Sequence, residues 1–185
     1  MPTVIIRPTS TTSQSGWNQS NIHTLIGDNN NATGVTQNST TCNFTGELDN
    51  LDAALNTATI NNFTITLRAV AGRSGASTVN LNAIDSGGSS YGGENKSYTG
   101  LTTTQTTSAI TTQVDGSALT PTYINNLSVK IEPNIQGTTA YELFLTIDYT
   151  AQASYTTASI KGISPANILK INGVSKNNVE KVVGV

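Results

Sequence analysis

Apolar and polar residues alternate along much of this chain with a period of two, the pattern of strands that bury one face and wet the other. Between Asn62 and Val70, Phe63, Ile65, Leu67 and Ala69 share one face and Thr64, Thr66 and Arg68 the other. Val79, Leu81 and Ala83 repeat the alternation between Thr78 and Ile84. The intervening Gly72-Arg73-Ser74-Gly75 predicts a hairpin that pairs the two segments antiparallel. A second hairpin is expected where Asn134-Ile135-Gln136-Gly137 separates Tyr123–Ile131 from Tyr141–Tyr149. In it Leu127, Val129 and Ile131 line one face, opposite Tyr141, Leu143, Leu145, Ile147 and Tyr149, with Phe144 out of phase. Shorter strands are expected at Ile22–Ile26, around Phe44, at Ser97–Leu101 and at Ser108–Val114, and Glu47–Leu55 reads as a helical turn or a loop. About eight to ten strands without amphipathic helices predict an all-β, antiparallel two-sheet sandwich of jelly-roll or lectin-like type.

The two ends break this pattern. Residues 1–21 hold a short β-like run, Thr3 to Arg7, and then Pro8-Thr9-Ser10-Thr11-Thr12-Ser13-Gln14-Ser15-Gly16, which has no periodicity and reads as an extended N-terminal arm. Residues 22–151 form the expected sandwich, and 152–185 a C-terminal tail. Within the tail, residues 164–174 align without gaps on residues 175–185, with Ser, Asn, Lys, Gly and Val coinciding and Ile twice matching Val. Ser164, Pro165 and Gly173 suit the start and end of a short helical turn, as do Ser175 and Gly184 in the second copy. Units this short cannot bury their own Ile168, Leu169, Ile171, Val174, Val179, Val182 and Val185, so these residues are expected to dock, on the sandwich or on a partner.

Composition narrows the possible roles. With 11% charged residues and a net charge of −2, the chain has no field to hold a polyanion, so no nucleic-acid partner is expected. A hydrophobic content of 36% is offset by Thr, Ser, Asn and Gly rather than by charge, which favours short strands and turns over charged disorder. No run approaches the ~18 apolar residues of a membrane helix, and the first residues lack the apolar stretch of a signal peptide, so cytoplasmic synthesis is expected. Seven Asn-x-Ser/Thr triplets occur, at Asn18, Asn31, Asn38, Asn43, Asn62, Asn95 and Asn126, and the abundance of Ser and Thr accounts for them by chance.

Little in the sequence has the arrangement that catalysis needs. His23 and Cys42 are the sole residues of their kinds, so no His/Cys metal cluster can form and no disulfide can close within the chain. His23 lies in a strand-like segment without a nucleophile elbow nearby, and Cys42 has no basic neighbour to activate it. Glu47, Asp49 and Asp52 are the one group of acids close enough to suggest the carboxylate pair of a glycosidase, and a solvated loop explains them better. Asp28-Asn29-Asn30-Asn31 lacks the spaced acids of a calcium loop, and the paired glycines at 72–75 and 87–93 lack the Lys-Ser/Thr of a phosphate loop. The expectation is a chain that is no enzyme and needs no cofactor or metal. Trp17, Tyr91 and Tyr98 lie in or beside loops, where exposed aromatic rings would stack on the sugars of a host glycan.

Ile-Leu-Lys-Ile-Asn-Gly-Val at 168–174 and Val-Glu-Lys-Val-Val-Gly-Val at 179–185 resemble the terminal I-x-K-[IV]-N-G-V elements of structural proteins of tailed bacteriophages. Residues 67–75 and 141–149 look like strands of β-sandwich domains from the same class of virion proteins. The likeness spans about a third of the chain, and Val183 departs from it where Asn is usual. It implies a virion protein that binds other capsid or tail proteins and forms a homo-oligomer. The first expectation is a capsid decoration or cement protein attached through its terminal segments. The alternatives are a tail, neck or fibre-attachment component and a carbohydrate-binding module that recognises a host surface.

Overall fold

A computed structural model describes residues 1–151 except 29, 31, 73–76 and 92, together with the backbone of 170–171 and 174–175. The chain divides into two compact units, Met1–Thr150 and Ala151–Val185. The first is an antiparallel sandwich of two five-stranded sheets. One sheet runs β1 (Thr3–Ile6), β10 (Thr139–Thr150), β5 (Thr59–Val70), β8 (Thr103–Thr106), with β3 (Val35–Thr36) also on β10. The other runs β2 (Ser13–Ser15), β4 (Asn43–Glu47), β9 (Ser128–Pro133), β6 (Ser77–Ile84), β7 (Glu94–Tyr98).

The alternating residues meet between these sheets. Phe63, Ile65, Leu67 and Ala69 of β5 are buried, as are Val79, Leu81 and Ala83 of β6, Val129 and Ile131 of β9, and Leu143, Leu145 and Ile147 of β10. Burying each large aliphatic side chain stabilises the fold by about 1.5–3 kcal/mol relative to exposing it. A bulge between Ala140 and Glu142 shifts the phase of β10, so Ala140 and Leu143 both face the core although three residues apart. Tyr141 is thereby turned away from the apolar row expected for it, and Arg68 lies 5.3 Å from its ring centroid. Phe144 faces outward, under Arg7, which also pairs with Glu142 at 2.8 Å.

The strand pairings differ from the expected hairpins. β5 and β6 lie in opposite sheets, as do β9 and β10, so each glycine-containing connection is an arch across the sandwich rather than a turn within one sheet. The arches meet backbone to backbone: a side chain at Gly72 would strike the carbonyl of Gly137, itself at φ +90°. The N-terminal arm is corrected as well. Within residues 1–21, β1 pairs with β10 and β2 with β4, so this segment supplies an edge strand to each sheet. Residues Ile22–Ile26 form one helical turn, α1, instead of a strand, because Ile22 and Ile26, four apart, are both fully buried. A second short helix, α2 (Pro121–Asn125), replaces the start of the expected 123–131 strand; Thr120 caps it and Pro121 opens it.

In the second unit, β11 (Lys170–Ile171) pairs antiparallel with β12 (Val174–Ser175), where a helical turn ending at Gly173 was expected. The remaining docking residues proposed from the repeat, Ile168, Leu169, Val179, Val182 and Val185, lie outside the described residues.

Candidate functional site

Three neighbouring strands of the second sheet end side by side. Glu47 at the end of β4 and Ile84 at the end of β6 both stand opposite Ser128, the first residue of β9. The loops beyond these ends, with the C-terminus of α2, enclose a cleft of about 650 Å³. Its polar lining includes Glu47 at the end of β4, Asp49 and Asn50 after it, Asp85 after β6, and Asn125 and Asn126 before β9. Among the described residues, neither an aromatic ring nor a Lys or Arg lines it.

Much of this lining is held in place by the backbone. Asp85 Oδ1 accepts from the amides of Gly87 (2.9 Å) and Ser89 (2.8 Å), and Asp49 Oδ1 accepts from the amide of Asn50 (2.9 Å). Asn125 Oδ1 accepts from Leu51 N at 2.8 Å, while Asn126 Nδ2 donates to Thr122 O at 2.9 Å. Glu47 Oε2 accepts from Ser10 Oγ at 3.1 Å. Each of these five side chains therefore has one polar atom engaged and, among the described residues, another without a hydrogen-bond partner. The carboxylates supply acceptors and the Asn50 and Asn125 amides supply donors. Oriented donors and acceptors in mixed order, without an opposing cation, suit a neutral ligand rich in hydroxyl groups.

The other residues singled out from sequence have structural tasks. Asp52 lies outside the cleft lining; its side chain caps the 3-10 turn Ala53–Leu55 by accepting from Ala54 N at 2.8 Å. His23 Nδ1 shares a 2.8 Å hydrogen bond with Thr11 Oγ1. Cys42 is buried, and burial pushes its thiol up to about 12, far from reactive thiolate. Asp28 Oδ1 accepts from Asn30 N and its Oδ2 from Thr33 Oγ1, so both of its carboxylate oxygens are engaged locally. No metal-holding group of three His, Cys, Asp or Glu occurs among the described residues.

The three aromatics expected to meet a glycan are placed otherwise. Trp17 is 9% exposed and donates Nε1–H to Asn43 O at 2.8 Å. Tyr98 is fully buried at the end of β7 and donates its hydroxyl across the sandwich to Leu67 O at 3.0 Å. Neither offers a ring face to solvent. Tyr91 is half-buried: its ring meets Phe63 edge-on, centroids 5.8 Å apart, and its hydroxyl donates to Thr112 O at 2.9 Å. Burial, reinforced by a hydrogen bond to Tyr123, holds the Tyr91 phenol well above the usual tyrosine range.

No family model matches this chain, and no curated protein matches it. Among solved structures it is similar to the C-terminal CBM6 of LamC, a marine laminarinase from Zobellia galactanivorans. That match has 13% identity and a TM-score of 0.44 and covers 79% of this chain and 98% of that one. It is also similar to a carbohydrate binding module, CBM6cm-2, of Cellvibrio mixtus lichenase 5A in complex with cellotriose, at 17% identity and TM-score 0.41 over 80% and 97% of the two chains. A third, the Podospora anserina GH26-CBM35 β-(1,4)-mannanase, has 10% identity and TM-score 0.42, over 81% of this chain and 28% of that one. At these scores the likeness decides nothing about what the cleft takes, and its own side chains have to do so.

Proposed function

We propose that the sandwich is a non-catalytic glycan-binding domain whose ligand enters the cleft at the ends of β4, β6 and β9. The observation that carries this reading is the set of held side chains with unused hydrogen-bonding atoms, acceptors on Glu47, Asp49, Asp85 and Asn126 beside the donor amide of Asn125. A sugar hydroxyl both donates and accepts, so it can donate to the carboxylates and accept from the amide of the same lining. Full-length protein is expected to bind one or more neutral oligosaccharides on a broad glycan array. Asp49→Ala and Asn50→Ala, each at an exposed position, are expected to weaken that binding about tenfold while leaving the melting temperature unchanged. An array without a hit, or variants that bind as the parent does, would sink the proposal.

A second reading concerns where the domain is displayed, and the C-terminal unit favours it. That unit, residues 151–185, carries the tandem repeat that resembles terminal elements of tailed-phage virion proteins. We propose that it attaches the domain to a larger assembly, a capsid or a tail. Within residues 1–21, Thr3–Ile6 and Ser13–Ser15 are strands of the sandwich, so the reading rests on the C-terminal unit. A chain ending at Thr150 is expected to keep its glycan binding and to lose adsorption to purified capsids and tails. Adsorption that survives the truncation would rule this out.

A further inference from the structure

A second, shallower pocket of about 190 Å³ opens on the same end of the sandwich, lined by Asp85, Ser89, Gln113, Val114, Asp115 and Tyr123. Asp85 lines both pockets. We propose that the two form one groove, that it takes at least two consecutive sugar rings, and that Tyr123 is the surface on which the second ring stacks. This rests on the reading of the larger cleft as a glycan site.

The two pockets are held in register by shared elements. Tyr123 and Asn125 both belong to α2, so the ring in the shallow pocket and the amide in the deep one are two residues apart on one capped turn. Between them, Asp85 has one carboxylate oxygen fixed by two backbone amides and the other without a partner among the described residues, placed to accept from hydroxyls on either side.

Their chemistry is complementary. A pyranose presents hydroxyls around its rim and C–H groups on its faces, so firm binding takes polar groups and a flat apolar surface together. The deep cleft supplies the polar groups and the shallow one supplies the Tyr123 ring beside Val114, which is 43% exposed. Tyr123 is fixed at both ends. Its amide donates to the Thr120 cap at 3.1 Å, and its hydroxyl meets that of Tyr91 at 2.6 Å. Since Tyr91 gives its own proton to Thr112 O, Tyr123 is the donor between the two phenols. The rings stand edge to face, centroids 6.4 Å apart, and Tyr91 in turn rests on Phe63 in the core. A ring held this way loses little freedom when a ligand stacks on it.

Titration calorimetry of the full chain tests this with neutral gluco-, galacto-, manno- and N-acetylglucosamine oligosaccharides of one to six units. Affinity is expected to rise about tenfold or more between one and three units and then to level off. Tyr123→Ala should abolish that rise, whereas Tyr123→Phe, which keeps the ring, should retain it. Should Tyr123→Ala fail to fold, Val114→Asp on the exposed loop is expected to remove the rise in the same way. Single units that bind as tightly as trimers, or a Tyr123→Ala protein that keeps the rise, would overturn the extended groove and leave the glycan reading standing. If no saccharide of any length binds, both fall.

Discussion

Phe63→Ala is expected to destabilise the sandwich by about 4 kcal/mol, with a fall in melting temperature of about 10 °C. Phe63 is fully buried in the middle of the core face of β5, opposite Ile147 of β10 across the strand pair. Its ring also carries the edge of Tyr91, so the substitution leaves a cavity and removes an aromatic contact together. Phe63→Leu keeps most of the volume and should cost about 1 kcal/mol. Urea denaturation of the three proteins measures the series; a Phe63→Ala variant within 1 kcal/mol of the parent would mean that the core around β5 closes over the gap.

Gly72→Ala should destabilise by about 3 kcal/mol for a reason unrelated to cavities. Its methyl group would occupy the space of the Gly137 carbonyl, and both partners at that crossing are backbone, which cannot rotate aside as a side chain would. The two arches would have to separate, drawing β5 from β6 and β9 from β10. Gly137→Ala meets the Gly72 Cα at 3.3 Å, an easier contact, and suffers chiefly from its φ of +90°, so about 1–2 kcal/mol is expected there. Gly100→Ala, with open space around it, serves as the neutral control. The ranking in urea midpoints checks the geometry: equal midpoints for Gly72→Ala and Gly100→Ala would show that the arches do not touch.

These two positions also mark what a sequence of this kind conceals. Alternation at 63–69, 79–83, 127–131 and 143–147 reveals which residues face the core, because a buried side of a strand needs every second residue apolar. It carries no information on whether the next strand lies beside the first or across from it. A short glycine-containing connection serves a hairpin and an arch equally well, and both expected hairpins proved to be arches. α1 was legible in principle: Ile22 and Ile26 have helical spacing, yet five residues with two isoleucines and a threonine read as readily as a strand.

The cleft was harder to anticipate. Glu47 and Asp49 stand out in sequence as neighbouring acids, but nothing in the chain ties them to Asp85 or to Asn125. The link is the register of three strands at Ser128, which exists only once the sheet has formed. Tyr123 fits the start of a strand by its apolar neighbours, yet the Thr-Pro pair before it carries the signal of a helix start and opens α2. Trp17 and Tyr98 were misplaced because nearness to a loop in sequence says little about depth: Tyr98 closes an edge strand and points inward beside Ser77, itself fully buried.

The pairing of β1 with β10 bears on how the domain is made. Arg7 and Glu142, joined by an ion pair, are 135 residues apart, and β10 is also the strand on which β3 and β5 assemble. During synthesis, most of the first sheet therefore has no central strand to join until β10 leaves the ribosome. Such non-local pairing predicts slow, late and cooperative folding, with the Thr-rich and charge-poor strands waiting unpaired in the meantime. Those strands, rich in Thr, Ile and Val and poor in charge, are then the part of the nascent chain most open to pairing with another copy before its last strand arrives.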